Sequence, residues 1–235
     1  MKMPIFTTMA LVAALISPVQ AQTALSTASP LDGQPNAFEQ GYVLLPPDMQ
    51  VNTDKENNII RYFFDFSCVY CYSMQDFMQV WSSTVHDKYT FIYHHVVTED
   101  IQYYIKASAM TFVANTDIPQ SQKNIFMSHM FRHIGKVKDE KQLIRLVKEA
   151  VADVGLDVQE AMLFILSEEA KQIYKSQASL QQTANIQITP SILIGGEFMT
   201  HLGVTRDAQP GDWINLINSV TSIHLYRENG FANQP

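Results

Sequence analysis

The stretch "YFFDFSCVYCYSM", residues 62–74, contains both cysteines of this 235-residue chain, Cys68 and Cys71. Only Val69 and Tyr70 separate them, so a disulfide between the two cysteines closes too short a loop to stabilise the fold. The aromatic run before them is typical of a buried strand, and a helical pattern follows. Chemistry, rather than a structural crosslink, is therefore the predicted role of this pair.

The junction between strand and helix predicts different roles for the two thiols. At the start of a helix, Cys68 faces unpaired backbone N–H groups and the positive end of the helix dipole. Both favour the thiolate, so we expect the pKa of Cys68 to be lowered, and thiolate is the species that reacts in disulfide exchange. Cys71 lies one turn further on and is expected to be more buried. We therefore predict that Cys68 is the nucleophile and that Cys71 resolves.

The sequence on both sides of the pair predicts a strand–helix–strand unit. "NIIRYFFDF" (58–66) and "YTFIYHHVV" (89–97) have the composition of inner strands, and residues 69–85 between them follow a helical period. Two strands joined by such a helix are expected to be parallel. "GYVLLPP" (41–47), which is stopped by prolines, is predicted to be an edge strand. The side chains expected on the inner face of the helix are Met74, Phe77, Met78 and Trp81.

A long helical segment separates this unit from a second group of strands. Residues 99–188 follow a helical pattern throughout, and "TPSILIGGEFMTHL" (189–202) predicts two short strands joined at Gly195-Gly196. A last helix is expected at about 211–225. We therefore expect a first half at 41–98, a helical insertion at 99–188 and a second half at 189–235. The local signals expected within the insertion are caps at Asp139, Asp157 and Ser167 and a first-turn proline at Pro119.

The chain begins with the pattern of a secretory signal peptide, expected to span residues 1–21. Lys2 precedes an apolar stretch at 5–17, and the small residues Val19 and Ala21 suit cleavage. The apolar stretch is too short for a membrane span, which needs about 20 residues. Residues 22–40 are polar and are expected to form a flexible leader.

The charge and the cysteine count weigh against binding to nucleic acids or anionic membranes and against a structural zinc site. A formal charge of −7 disfavours nucleic acids and anionic membranes as partners. A structural zinc site needs about four ligands, and a single cysteine pair supplies two. His129 and His133, which share a helix face, are weak candidates for the missing ligands, so no metal site is predicted.

Two motifs resemble those of the DsbA-like family of bacterial periplasmic thiol:disulfide oxidoreductases. "FFDFSCVYCYSM" (63–74) resembles the family's active-site segment, and "ITPSILIGG" (188–196) is similar to its second motif. In that motif a cis-proline, here Pro190 after Thr189, lies against the cysteine pair. The resemblance implies an α/β protein with a thioredoxin fold and an inserted helical domain. It implies the following site residues: catalytic Cys68 and Cys71, the dipeptide Val69-Tyr70, and Thr189 and Pro190 for contact with the substrate backbone.

The activity that the resemblance implies is disulfide donation in the periplasm. The substrates would be unfolded or reduced exported proteins, and a DsbB-like quinone-linked membrane oxidase would restore the Cys68–Cys71 disulfide, so no other cofactor is expected. Dimeric isomerases of this superfamily carry an N-terminal dimerisation domain. The polar leader expected at residues 22–40 does not have the character of such a domain, so a monomer is expected. Two alternatives stay open: an isomerase or reductase with the same chemistry, and a redox-inert chaperone or assembly factor of a secretion or conjugation system.

Three features depart from the family pattern or extend it. Val69-Tyr70 replaces the Pro-His of the best-known oxidase, which predicts a less oxidising pair because a source of positive charge is absent. Tyr62 stands where the family commonly has a buried acid, and Asp65 is expected to point the other way. Tyr70 and Met199, which lie in or close to the motifs, are the best candidates for substrate contact.

Overall fold

The computed structural model describes residues 41–51, 56–202 and 209–228. The predicted signal peptide (1–21) and leader (22–40) lie outside the described residues. Across the three described ranges, no helix combines the length and the apolar character that crossing a bilayer requires.

Five strands of the described chain form one mixed sheet in the order β1-β5-β4-β2-β3. β2 is parallel to β3 and antiparallel to β4, so the predicted strand–helix–strand unit is confirmed. Among the described strands, β1 pairs with β5 alone and lies at one edge, as the prolines predict. The strands are β1 Val43–Leu44, β2 Ile59–Phe64, β3 Thr90–His95, β4 Ser191–Ile194 and β5 Phe198–His201.

The helices of the described residues follow the predicted order along the chain. One helix joins β2 to β3, five lie between β3 and β4, and one follows β5. Their bounds are α1 Val69–Ser82, α2 Ile101–Asn115, α3 Gln120–Ile134, α4 Glu140–Asp153, α5 Val158–Ile165, α6 Glu168–Thr183 and α7 Pro210–Glu228.

Local sequence signals account for the starts of several helices. The side chain of Asp139 accepts from the backbone N–H of Gln142 at 2.8 Å, and Ser167 caps α6 in the same way. Asp157 caps α5. Pro119 precedes α3 as its N-cap residue instead of lying in the first turn, which is a one-residue correction.

The prediction that residues 89–97 form an inner strand was wrong, because β3 lies at the sheet edge. Within the described chain its only strand partner is β2. Helices cover part of it: the Trp81 ring of α1 lies 5.6 Å from the Phe91 ring, centroid to centroid, and α2 also packs against β3, but only His94 and His95 of the strand are buried. An apolar composition does not by itself show whether a strand has one neighbouring strand or two.

The core is divided between the two faces of the sheet. Tyr62 and Phe64 of β2 pack with α1 in the larger apolar cluster, which also contains Cys71. Phe63 belongs to a smaller cluster together with Met199. On α1, Met74, Met78 and Trp81 are buried as predicted, but Phe77 is half exposed.

Candidate active site

Cys68 lies between β2 and α1 and is the N-cap residue of that helix. Its Sγ accepts a hydrogen bond from the backbone N–H of Cys71 at 3.2 Å. The backbone N–H of Cys68 donates to the Asp65 carbonyl at 2.9 Å, which fixes the loop ahead of the helix. Both cysteines are free thiols in this structure. The first sulfur thus sits at the unpaired N–H groups of the first turn, as the sequence predicts.

The environments of the two thiols lower the pKa of Cys68 and raise the pKa of Cys71. The hydrogen bond from the Cys71 thiol contributes most to the low pKa of Cys68, burial opposes it, and the Thr189 side chain and the N–H groups of Cys71 and Tyr70 add to it. Together they lower the pKa of Cys68 to about 6. Cys71 is fully buried, and burial raises its pKa far above the ordinary value, followed by its hydrogen bond to Cys68. The largest cause is therefore the neighbouring thiol and not the helix N–H groups that the sequence pointed to.

The second motif comes to the same sulfur from the other side. The Thr189–Pro190 peptide bond is cis, as the resemblance implies. The Cys68 thiol donates to the Thr189 carbonyl oxygen, with 3.5 Å between Sγ and O. The structure therefore brings Cys68, Cys71, Thr189 and Pro190 together, although the two motifs are 121 residues apart.

Apolar and aromatic side chains are exposed beside Cys68. Val69 is 70 % exposed and Tyr70 is 64 % exposed, while Tyr72 is half exposed and stacks on Phe131 with 6.0 Å between ring centroids. The prediction that Met199 contacts substrate has no support from its position, because that side chain is buried in the smaller core cluster. Proximity in sequence to the second motif did not indicate that β5 is buried on both faces, with Phe198 in the larger cluster and Met199 in the smaller.

A buried polar network next to Cys68 was missed by the sequence reasoning. The Asp65 carboxylate accepts from Lys106 Nζ at 2.8 Å, from the Tyr103 hydroxyl at 3.0 Å and from the Ser67 N–H at 2.9 Å. Lys106 is only 3 % exposed. Burial alone would raise the pKa of Asp65, but His95 and Lys106 hold it well below its ordinary value.

This network ties α2 to the loop that carries the nucleophile. Lys106 Nζ also lies 3.3 Å from the Ser67 hydroxyl, one residue before Cys68. One signal for this network was present in the sequence: Asp65 is a charged residue inside an apolar run, and a buried charge needs a partner. Its partner lies 41 residues away, which no local pattern could identify.

Metal binding finds no support in the described part of the chain. No cluster of three or more histidine, cysteine, aspartate or glutamate side chains within it is arranged to hold an ion. His129 pairs with Asp153, with 2.6 Å between Nδ1 and Oδ2.

The comparisons with known proteins agree with this architecture. The thioredoxin family model matches residues 49–209. A comparison with curated proteins gives no match. DsbA of Pseudomonas aeruginosa superposes with a TM-score of 0.67 at 15% identity, covering 83% of this chain and 95% of that one. DsbA1 of Neisseria meningitidis superposes with a TM-score of 0.64 at 18% identity, covering 81% of this chain and 94% of that one. DsbA of Xylella fastidiosa superposes with a TM-score of 0.64 at 16% identity, covering 81% of this chain and 96% of that one.

At these identities the structural matches establish the fold, which is a thioredoxin fold with an inserted helical domain between β3 and β4. The family match covers more than half of the chain and includes both cysteines and Pro190. The chain therefore belongs to the thioredoxin family and has the fold of the DsbA oxidoreductases.

Proposed function

We propose that this protein is a periplasmic thiol:disulfide oxidoreductase that introduces disulfides into exported proteins. The observation that carries the proposal is the pairing of a half-buried Cys68, whose pKa is lowered to about 6, with a fully buried Cys71. Perturbed acidity of this kind concentrates at functional sites. The cis-proline and the apolar surface beside Cys68 supply a place for an extended, unfolded substrate.

The chemistry proceeds by two thiolate attacks. A substrate thiolate attacks Cys68 Sγ of the oxidised protein, the Cys68–Cys71 bond breaks, and Cys71 leaves as a thiolate. A second substrate thiolate then attacks the substrate sulfur of the mixed disulfide. The substrate gains a disulfide, the protein is left with two reduced cysteines, and Cys68 is a good leaving group because its thiolate is stabilised.

Export and reoxidation complete the proposal. The signal peptide pattern at residues 1–21 supports delivery to the periplasm, where disulfides persist. A DsbB-like quinone-linked membrane oxidase would take the two electrons and restore the Cys68–Cys71 disulfide. We propose that the protein acts as a monomer, and that Thr189 and Pro190 hold the substrate backbone during exchange.

The test follows the transfer of one disulfide from protein to substrate. The oxidised mature protein is mixed with a reduced peptide containing two cysteines, and free thiols are counted by alkylation and mass spectrometry. We expect one peptide disulfide per protein, and no transfer by Cys68→Ala or Cys71→Ala. Cys71→Ala retains an alkylatable Cys68 and so controls for folding. If the wild-type protein leaves the peptide reduced, the proposal fails.

Titration against glutathione redox buffers separates this function from an isomerase or a reductase. An oxidase equilibrates at more oxidising buffer compositions than either alternative, because its dithiol form is stabilised. The redox-inert chaperone alternative draws support from the exposed Val69 and Tyr70. It predicts that Cys68→Ala still complements a deletion strain, whereas our proposal predicts loss of complementation.

A further inference from the structure

The chemistry proposed above places a charge where the protein has little to stabilise it. When the disulfide opens, the electron pair of the broken bond goes to Cys71 Sγ, which is completely buried. An unpaired buried charge is costly, so the leaving thiolate needs a hydrogen-bond donor. The Asp65 backbone and the Thr189 side chain hydrogen-bond to Cys71 and favour its thiolate, but burial outweighs them and keeps the pKa of Cys71 raised. The Asp65 carboxylate cannot add a donor, because it is ionised and already accepts from Lys106, Tyr103 and Ser67.

Tyr62 supplies a donor at the right place in the fold. It lies on the α1 face of β2, in the same apolar cluster as Cys71, and is 1 % exposed. Its hydroxyl is buried and makes no hydrogen bond of ordinary geometry within the described chain. Such orphaned hydroxyls are rare and need an explanation.

Packing holds the Tyr62 ring while leaving its hydroxyl free to turn. The ring stacks on Phe64 at 5.8 Å between centroids and meets the edge of Tyr93 at 6.0 Å. After burial, the charge of Cys71 contributes most to the raised pKa of Tyr62, followed by that of Cys68, and a side-chain hydrogen-bond contact with Cys71 that falls outside ordinary geometry adds to them. The phenol therefore keeps its proton and lies within electrostatic reach of the leaving sulfur.

We propose that the Tyr62 hydroxyl donates a hydrogen bond to the Cys71 thiolate as the Cys68–Cys71 disulfide opens. This inference rests on the proposed function. A neutral thiol is a weak acceptor, which explains the orphaned hydroxyl in the dithiol state, whereas a thiolate is a strong one. No proton is transferred in the step: the phenol stays neutral, and the thiolate takes a proton from solvent afterwards.

Tyr62→Phe removes only the hydroxyl, and Tyr93→Phe is the matched control. The Tyr93 hydroxyl is also buried without a hydrogen bond of ordinary geometry, and burial is the largest cause of its raised pKa. The oxidised proteins are mixed with reduced glutathione in a stopped-flow instrument, and the rate of disulfide opening is measured. We expect Tyr62→Phe to be slower by between about tenfold and a hundredfold, and Tyr93→Phe to stay within about twofold of the wild type.

A second measurement separates this role from a packing effect. Alkylation of Cys68 in the reduced proteins does not require Cys71 to leave, so its rate and its pH midpoint should be the same in Tyr62→Phe and the wild type. Difluorotyrosine at position 62 keeps the hydroxyl and should restore rapid opening, even if Tyr62→Phe proves less stable.

Two results overturn the inference while leaving the proposed function intact. One is a wild-type opening rate in Tyr62→Phe, and the other is equal slowing in both phenylalanine variants. If the wild-type protein does not react with glutathione at all, the proposed function itself fails.

Discussion

The lowered pKa of Cys68 makes the stability of the reduced protein depend on pH. A pKa of about 6 in place of 9.0 means that, between these values, the folded state holds a thiolate where the unfolded chain still holds a proton. The unfolded state then binds more protons, so stability rises with pH. The contribution is present near the unfolded pKa and is lost as pH falls through 6.

The size of the effect follows from the same two values. A difference of about three in pKa corresponds to about 4 kcal/mol. Cys68 is only half-buried, so solvent screening reduces this figure, and we expect about 2 kcal/mol. Above the ordinary pKa of a cysteine, the raised pKa of Cys71 acts in the opposite direction, because the unfolded chain then loses a proton that the folded state keeps.

Urea unfolding of the reduced protein between pH 5.5 and 8.5 measures this quantity, with a phosphine reductant present throughout. Cys68→Ser is the reference, since every other titrating side chain is retained in it. The free energy of unfolding of the wild type minus that of Cys68→Ser should rise by about 2 kcal/mol across this range. A difference that stays flat would show that Cys68 ionises like an ordinary thiol, and the reasoning behind the nucleophile would be refuted.

Three further perturbations test other parts of the site and fold. Lys106→Met strands the buried Asp65 carboxylate and should lower the free energy of unfolding by about 3 kcal/mol, whereas adding Asp65→Asn should recover part of that loss. Gly196→Ala places a Cβ against the Val51 carbonyl at a φ of +71° and should cost at least about 2 kcal/mol in the same denaturation assay. Raising NaCl from 0.05 to 1 M should leave the pKa of Cys68, measured by thiolate absorbance, within about 0.3 of its low-salt value, since salt screens exposed charges far more than short hydrogen bonds. A shift of that pKa towards 9 at high salt would contradict this.

Local signals in the sequence predicted much of the fold. The strand–helix–strand unit, the cap at Asp139 and the turn at Gly195-Gly196 depend on residues close together in the chain, where side-chain type fixes backbone geometry. Both glycines of that turn have positive φ, 59° and 71°, which glycine adopts without strain.

Features that depend on distant partners were not predicted. Helical spacing places Phe77 on the inner side of α1, but the neighbouring elements leave it half exposed. Nothing near Lys106 in the sequence indicates that a lysine is buried there, because the cause is Asp65 on another element. The edge position of β3 likewise depends on which strand lies beside it, and an apolar run carries no such information.

How oxidising the Cys68–Cys71 disulfide is depends on what stabilises the Cys68 thiolate, since no cationic side chain lies between the two cysteines. Lys106, whose Nζ lies 3.3 Å from the Ser67 hydroxyl, is a candidate for such a cation, but it is paired with Asp65, and the largest contribution to the low pKa of Cys68 comes from a hydrogen bond. A stabilisation of about 2 kcal/mol makes the disulfide more oxidising by about 40 mV relative to an unperturbed thiol. Val69 and Tyr70 add no side-chain charge beside the thiolate, so a histidine in place of Tyr70 would add a positive charge that is now missing. We therefore expect Tyr70→His to make the disulfide more oxidising, and the milder couple expected of Val69-Tyr70, compared with Pro-His between the cysteines, stays a prediction for a measured reduction potential.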